Sequence, residues 1–313
     1  MDTFVSRESE PPASPAAETY LCILNGAAHS GKAQAARARL AAIFAGLNRD
    51  VRIVMPTDGE EIVRQAREAV RESRRMVIAG GGDGTINAVA NALAGTQTTL
   101  AVLPLGTLNH FAKDLGVPLA LEDAAANAFS GEVRSVDVAE VNGCVFLNNS
   151  SIGLYPRIVR EREALQRKGE SKWAALAQAA LASVRRSRAV RVRLLSAERH
   201  VAMKTAFVFV ANNMYELAVP QLGARKTLEG GTLWACYLPH AGRFRAIAAT
   251  LRALFRGAKP AAPLAFTTQE LCIETQRARV RVAFDGEVRD METPLRYRTR
   301  PRDLRVVVPR AAS

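Results

Sequence analysis

Cysteine is scarce in this 313-residue chain, and the four that occur, Cys22, Cys144, Cys236 and Cys272, form no C-x-x-C pair. Each sits in or beside an apolar run, which argues for buried reduced thiols and against a disulfide framework or a zinc site. Histidine is equally sparse: His29, His110, His200 and His240 show no metal-ligand spacing to one another or to a cysteine, and read as surface or packing residues. Long apolar runs are missing too. No segment approaches the roughly 18 uninterrupted apolar residues that a membrane span requires. Residues 1–18 are acidic and rich in Pro and Ala, the composition of a disordered tail and not of a signal peptide, so the expectation is a cytosolic protein. There is no internal repeat.

What the chain has in excess is positive charge. Against 30 Asp and Glu stand 43 Lys and Arg, a net charge of +13. That balance favours anionic partners, whether nucleotide, nucleic acid or acidic lipid surface, without choosing among them. The length is enough for two ordinary domains with cores that need no staples.

From Tyr20 the pattern alternates: apolar runs at 20–24, 51–55, 75–79 and 99–103 are separated by helical stretches at 32–46, 60–73 and 85–94. Such alternation predicts a parallel sheet covered by helices. Ile86, Val89, Ala90 and Leu93 follow the spacing of one buried helical stripe. After about residue 132 the pattern becomes strand-rich, with segments at 133–141, 144–151, 189–195, 201–211, 231–238, 264–275, 279–284, 295–299 and 304–308, and helical insertions near 157–186 and 243–256. This predicts a second, largely antiparallel lobe. The divisions expected are a tail over 1–18, an α/β domain over 19–132 and a β-rich domain over 133–313 whose last strands have the option of returning to the first lobe.

Three loops carry chemistry. Gly26 to Lys32 satisfies G-x-x-x-x-G-K, but Ala33 stands where a P-loop needs a hydroxyl for Mg²⁺. Gly80-Gly81-Gly82-Asp83-Gly84-Thr85 leads from an apolar run into a helix, where glycines let a ligand approach and free N–H groups favour phosphate. A bland reading competes: a tight turn with Thr85 as an ordinary helix cap. A second Gly-Thr loop, Pro104 to Asn109, follows the next apolar run, and adjacent parallel strands would put both loops on one carboxyl edge.

Taken together, Gly81-Gly82-Asp83-Gly84-Thr85-Ile86-Asn87 and Pro104-Leu105-Gly106-Thr107-Leu108-Asn109-His110-Phe111-Ala112 resemble the diacylglycerol kinase catalytic-domain family, which includes bacterial lipid kinases and sphingosine kinases. Asn25 with Ser30-Gly31 is similar to its first motif, Phe146 to Gly153 to its mid-chain segment, and Asp285-Gly286-Glu287 to its Asp-Gly-Glu motif. The resemblance implies a two-lobe fold, α/β nucleotide lobe plus β-sandwich lobe, with the site in the cleft. It also implies transfer of the γ-phosphoryl of ATP, with Mg²⁺, to a lipid hydroxyl. It assigns Asn25, Ser30, Gly31, Gly81, Gly82, Gly84, Thr85, Gly106, Thr107 and Asn109 to the nucleotide. Asp285 becomes the candidate base, Glu287 its orienting partner or a Mg²⁺ ligand, and Asp83 a rival for the base or metal role. Without the resemblance, Asp285-Gly286 reads as a hairpin turn.

The chain also departs from the family. Gly26 replaces the usual Pro, and His110 stands where an acidic residue is common. Leu228-Glu229-Gly230-Gly231 replaces the Asp-Asp-Gly segment that binds a structural Mg²⁺, leaving Glu229 as its lone acidic residue. Between Arg157 and Arg193 lie eleven Lys or Arg against three Glu, either a lip for anionic membrane or a plain solvated helix face. No nucleic acid is needed to explain the basic C-terminal strands, and a homodimer is left open. Two alternatives accompany the lipid kinase: a NAD kinase-like enzyme of a soluble metabolite, and a lipid-binding protein without turnover.

Overall fold

The computed structural model describes residues 20–26, 30–153, 189–215, 225, 227–239 and 264–310. The expected helical insertions at 157–186 and 243–256 fall outside these residues, as does the 157–188 part of the basic region.

The first lobe opens with β1 (Tyr20–Leu24), α1 (Ser30–Gly46), β2 (Val51–Val54), α2 (Gly59–Arg71), β3 (Met76–Gly81), α3 (Asp83–Leu93) and β4 (Thr99–Pro104). β1 pairs in parallel with β2 and β3, and β3 with β4. Every residue of β3 and β4 is buried, as strands covered by helices on both faces require. α2 starts where Asp58 accepts a 2.8 Å bond from the Glu61 N–H, carries Glu60 and Glu61 in its first turn, and buries Ile62, Ala66 and Ala69. α3 turns Ile86, Val89, Ala90 and Leu93 into the same core.

Two short helices escaped the sequence pattern, α4 (His110–Asp114) and α5 (Leu121–Ser130). α4 spans barely one turn, and α5 buries mainly alanines (Ala124, Ala125, Ala128), so neither shows a strong apolar period.

The second lobe comprises β5 (Glu132–Val141), β6 (Cys144–Phe146), β7 (Asn149–Gly153), β8 (Val190–Leu195), β9 (His200–Asn212), β10 (Leu233–Pro239), β11 (Leu264–Thr268), β12 (Glu270–Thr275), β13 (Arg279–Phe284), β14 (Glu287–Glu292) and β15 (Leu295–Val308). The run 264–275 divides into β11 and β12, which take different partners. The runs 295–299 and 304–308 join as β15, with its register shifting between Arg300 and Leu304. β14 is charged and lies at the end of the strand order, which is why its sequence did not read as a strand.

β15 runs through both lobes. It pairs with β12 near its start, with β4 in parallel at Val306, and with β5 along most of its length. The antiparallel part curls over itself. β7 and β15 are four steps apart in the strand order, about 19 Å in a flat sheet, yet the Ser150 and Tyr297 hydroxyls are hydrogen-bonded at 3.0 Å. That fold-over encloses a second core containing Phe146, Val210, Leu271, Phe284 and Tyr297, separate from the core of the first lobe.

Candidate functional site

β3 and β4 are neighbours in register, Gly81 opposite Pro104, so the loops that follow them leave the same sheet edge. The Leu105 N–H donates to the Gly81 carbonyl at 3.0 Å and locks the two loop starts together. Two of the glycines are there because a side chain has no room. A Cβ on Gly81 would fall 2.6 Å from the Thr85 side chain, and one on Gly106 would fall 2.5 Å from the Gly82 Cα.

Gly82 and Gly84 are different. A Cβ on either would meet nothing closer than 3.5 Å or 3.9 Å respectively, and neither has a positive φ. Gly82 is the N-cap of α3 and supplies no side-chain cap. The open end of a three-turn helix therefore faces space that its own residues leave unfilled, the arrangement that receives an anion. Thr85 is not the cap. Its buried hydroxyl accepts a 2.9 Å bond from Asn25 Nδ2, tying the end of β1 to the first turn of α3.

The remaining loop residues divide by what they touch. Asn109, held in the left-handed region at φ 51°, accepts from the Gly106 N–H at 2.9 Å and donates to the Gly106 carbonyl at 2.9 Å. Its side chain shapes the second loop. Thr107 is exposed. Ser30 and Gly31 fall in the first turn of α1, so Lys32 is a helix residue. Asp83 is half-buried, and its Oδ1 accepts a long 3.4 Å bond from the Phe111 N–H.

Asp285 and Gly286 form the two-residue turn between β13 and β14, with φ 45° and 87°, the double positive φ of a type I′ hairpin. The turn is also more than a turn. The Asp285 carboxylate is buried and accepts from the backbone N–H groups of Leu147 (2.6 Å), Asn148 (2.9 Å) and Asn149 (3.0 Å). Burial pushes its pKa up to about 6, against the three amides and the Arg225 charge, which pull it down. Two residues on, Glu287 pairs with Arg289 through Oε2 at 2.9 Å, while its Oε1 lies 3.9 Å from where a Gly84 Cβ would sit. The hairpin of the second lobe thus reaches the helix start of the first.

Asp83 and Glu287 therefore flank one glycine loop, and a pair of carboxylates completed by phosphate oxygens and water is the set Mg²⁺ ordinarily takes. They fit that ion. The segment at Glu229 does not. Its carboxylate lies 4.0 Å from Arg134 Nε and 3.8 Å from Arg302 Nη2, a cationic setting. The loop is fastened instead by Asp137, only 1% exposed, which accepts from the Gly231 N–H (2.6 Å), Asn213 Nδ2 (3.1 Å) and the Arg302 N–H (2.9 Å). No cluster of three His, Cys, Asp or Glu suited to a metal occurs among the described residues.

Sequence reading missed Asp137, and it missed Arg225 and Asp114, which meet beside Asp285. The Arg225 guanidinium is 1% exposed and donates to Asp114 Oδ2 at 2.6 and 2.9 Å. Nothing local in the sequence marks any of the three, because their partners lie far along the chain.

Comparison with known proteins places these loops. The diacylglycerol kinase catalytic domain family matches residues 19–141. Over those residues the first lobe is similar to that family. Over 146 residues the chain is 40% identical to proteins of Yersinia pestis (strain Pestoides F) and Yersinia pseudotuberculosis (serotype O:1b, strain IP 31758), each named "Probable lipid kinase YegS-like". Those matches span 45% of this chain and 48% of the relatives' length, about half of each. A crystal structure of a diacylglycerol kinase from Bacillus anthracis str. Sterne, 22% identical, superposes with a TM-score of 0.69 and covers 94% of this chain and 98% of that one. That likeness extends the two-lobe fold across both lobes.

Proposed function

We propose that the protein is a lipid kinase that transfers the γ-phosphoryl group of ATP to the hydroxyl of a diacylglycerol-like or other long-chain lipid. One observation carries the reading: the Asp285–Glu287 hairpin of the second lobe meets the uncapped start of α3, where Gly82 and Gly84 leave open space. The match to the catalytic domain and the names of the relatives, matched over about half their length, support the lipid class.

In this reading the N–H groups at the start of α3 receive phosphate oxygens, and the loop at Gly106 and Thr107 forms the second wall of the nucleotide site. Asn25 keeps its place by holding Thr85. Asp83 and Glu287 would hold Mg²⁺, whose charge would offset that of the phosphates. Asp285, with its pKa raised by burial to about 6, is mostly ionised at neutral pH and basic enough to accept the proton of the acceptor hydroxyl. Phosphoryl transfer asks little more of a protein than positioning and charge neutralisation.

A kinase of a membrane-borne alcohol has to meet the bilayer. No helix among the described residues is long and apolar enough to cross one. We assign the contact to the basic region 157–193, from the cytoplasmic side, by attraction to anionic lipid. Binding to anionic vesicles should fall with added salt and with loss of Arg185, Arg186 and Arg188, and salt-insensitive binding would remove the assignment.

The test of function is direct. Purified protein with labelled ATP and Mg²⁺ is offered diacylglycerol in mixed micelles, and NAD in parallel. Labelled lipid supports the proposal. Label on NAD alone selects the soluble-metabolite reading, and tight lipid binding with no product selects the non-catalytic one.

A further inference from the structure

We infer that Arg225 and Asp114 form a clamp between the lobes that positions Asp285, an inference that rests on the kinase reading above. Arg225 is a second-lobe residue with a fully enclosed side chain, and its guanidinium is spent on three segments. Nε and Nη2 grip Asp114 at the end of α4, at 2.9 and 2.6 Å. Nη1 donates to the Leu147 carbonyl at 2.6 Å and, more weakly, to the Asn212 carbonyl at 3.4 Å. Nη2 also reaches Asn148 Oδ1 at 3.1 Å.

The segment so held is the one whose amides bind the Asp285 carboxylate. Leu147 offers its carbonyl to Arg225 and its N–H to Asp285, and Asn148 offers its side chain to one and its N–H to the other. The first-lobe end is equally anchored. Phe111, one turn before Asp114 on α4, lies under the guanidinium with its ring centre 6.0 Å from Cζ, and its N–H reaches Asp83. A continuous chain of contacts thus runs from Asp83 through Phe111 and Arg225 to the cradle of Asp285. With 1% of its side chain exposed and its polar groups occupied, Arg225 is a positioning residue and does not itself touch substrate.

Arg225→Lys tests this, because an ammonium keeps the charge but cannot bridge three segments with a planar fork. Misplacing a reacting group by about 1 Å costs on the order of 100-fold, so kcat on diacylglycerol micelles should fall about 10- to 100-fold, with KM for ATP little changed. Hydrogen exchange of a peptide covering 145–150 should accelerate, because the amides facing Asp285 lose their anchor. A lone Arg225→Met would leave the half-buried Asp114 charge without its partner, so the double variant Arg225→Met/Asp114→Leu removes both charges at once and should show the same two effects in folded protein. Unchanged kcat in either folded variant, or unchanged exchange over 145–150, overturns the clamp. If the wild-type protein phosphorylates no lipid, the kinase reading fails, and the exchange measurement still decides the clamp.

Discussion

Two loops of this protein are built from similar residues and do opposite things. At Gly81–Thr85 the helix start is left open: α3 begins without a side-chain cap, and Gly82 and Gly84 border open space. At 227–231, also glycine-bearing and beside a carboxylate, the groups are consumed internally, because Asp137 accepts from Gly231 and Asn213 while Glu229 lies between two arginines. A binding loop is recognisable by what it leaves unsatisfied. A structural loop is recognisable by how completely it satisfies itself.

Substitutions can break that contrast. The largest effect is expected on the buried carboxylate of Asp285. Asp285→Asn should cut turnover about 10²- to 10⁴-fold, read as initial rates, and should also lower the melting temperature, because an amide turns one N–H donor against the backbone N–H groups that Asp285 accepts. Gly82→Val should come next. Its extended backbone, φ −85° and ψ −178°, and the 3.5 Å clearance admit a Cβ, so melting should move far less than ATP binding and turnover, which collapse. Gly106→Ala should invert that pattern, costing about 1–3 kcal/mol in denaturant unfolding through its clash with Gly82.

On the structural loop, Asp137→Ala should destabilise the fold by about 3 kcal/mol by orphaning three donors, that of Asn213 fully buried, whereas a chelator should leave the wild-type melting temperature unchanged. A chelator-induced drop would place a cation where the geometry has arginines. The smallest effect belongs to Lys32→Ala, which should retain most activity in the same rate assay, since Lys32 lies in α1 and the P-loop pattern around it fails at Ala33. A lysine as indispensable as that of a P-loop would reopen the family assignment.

The same contrast explains what could be read from the sequence. The glycine loops were legible because each is a contiguous string between an apolar strand and a helix, and the pairing of Gly81 with Pro104 follows from neighbouring parallel strands. The turn at Asp285 was legible as Asp-Gly, though not its three amide partners. The clamp and the fastened loop were invisible for a physical reason: Arg225 and Asp114 are 111 positions apart, and Asp137 and Gly231 are 94 apart, so only the completed tertiary fold brings them together. β14 and α5 were missed because a charged edge strand and an alanine-faced helix carry little apolar period.

The central claim is that the open loop and the buried carboxylate form one phosphoryl-transfer site. The decisive measurement is transfer of labelled γ-phosphate from ATP to diacylglycerol micelles by wild-type protein and by Gly82→Val, with melting curves recorded for both. The prediction is labelled lipid from the wild type and none above background from Gly82→Val, with a far smaller change in melting temperature. Equal lipid labelling by the two folded proteins, or label on NAD and none on lipid, would contradict it.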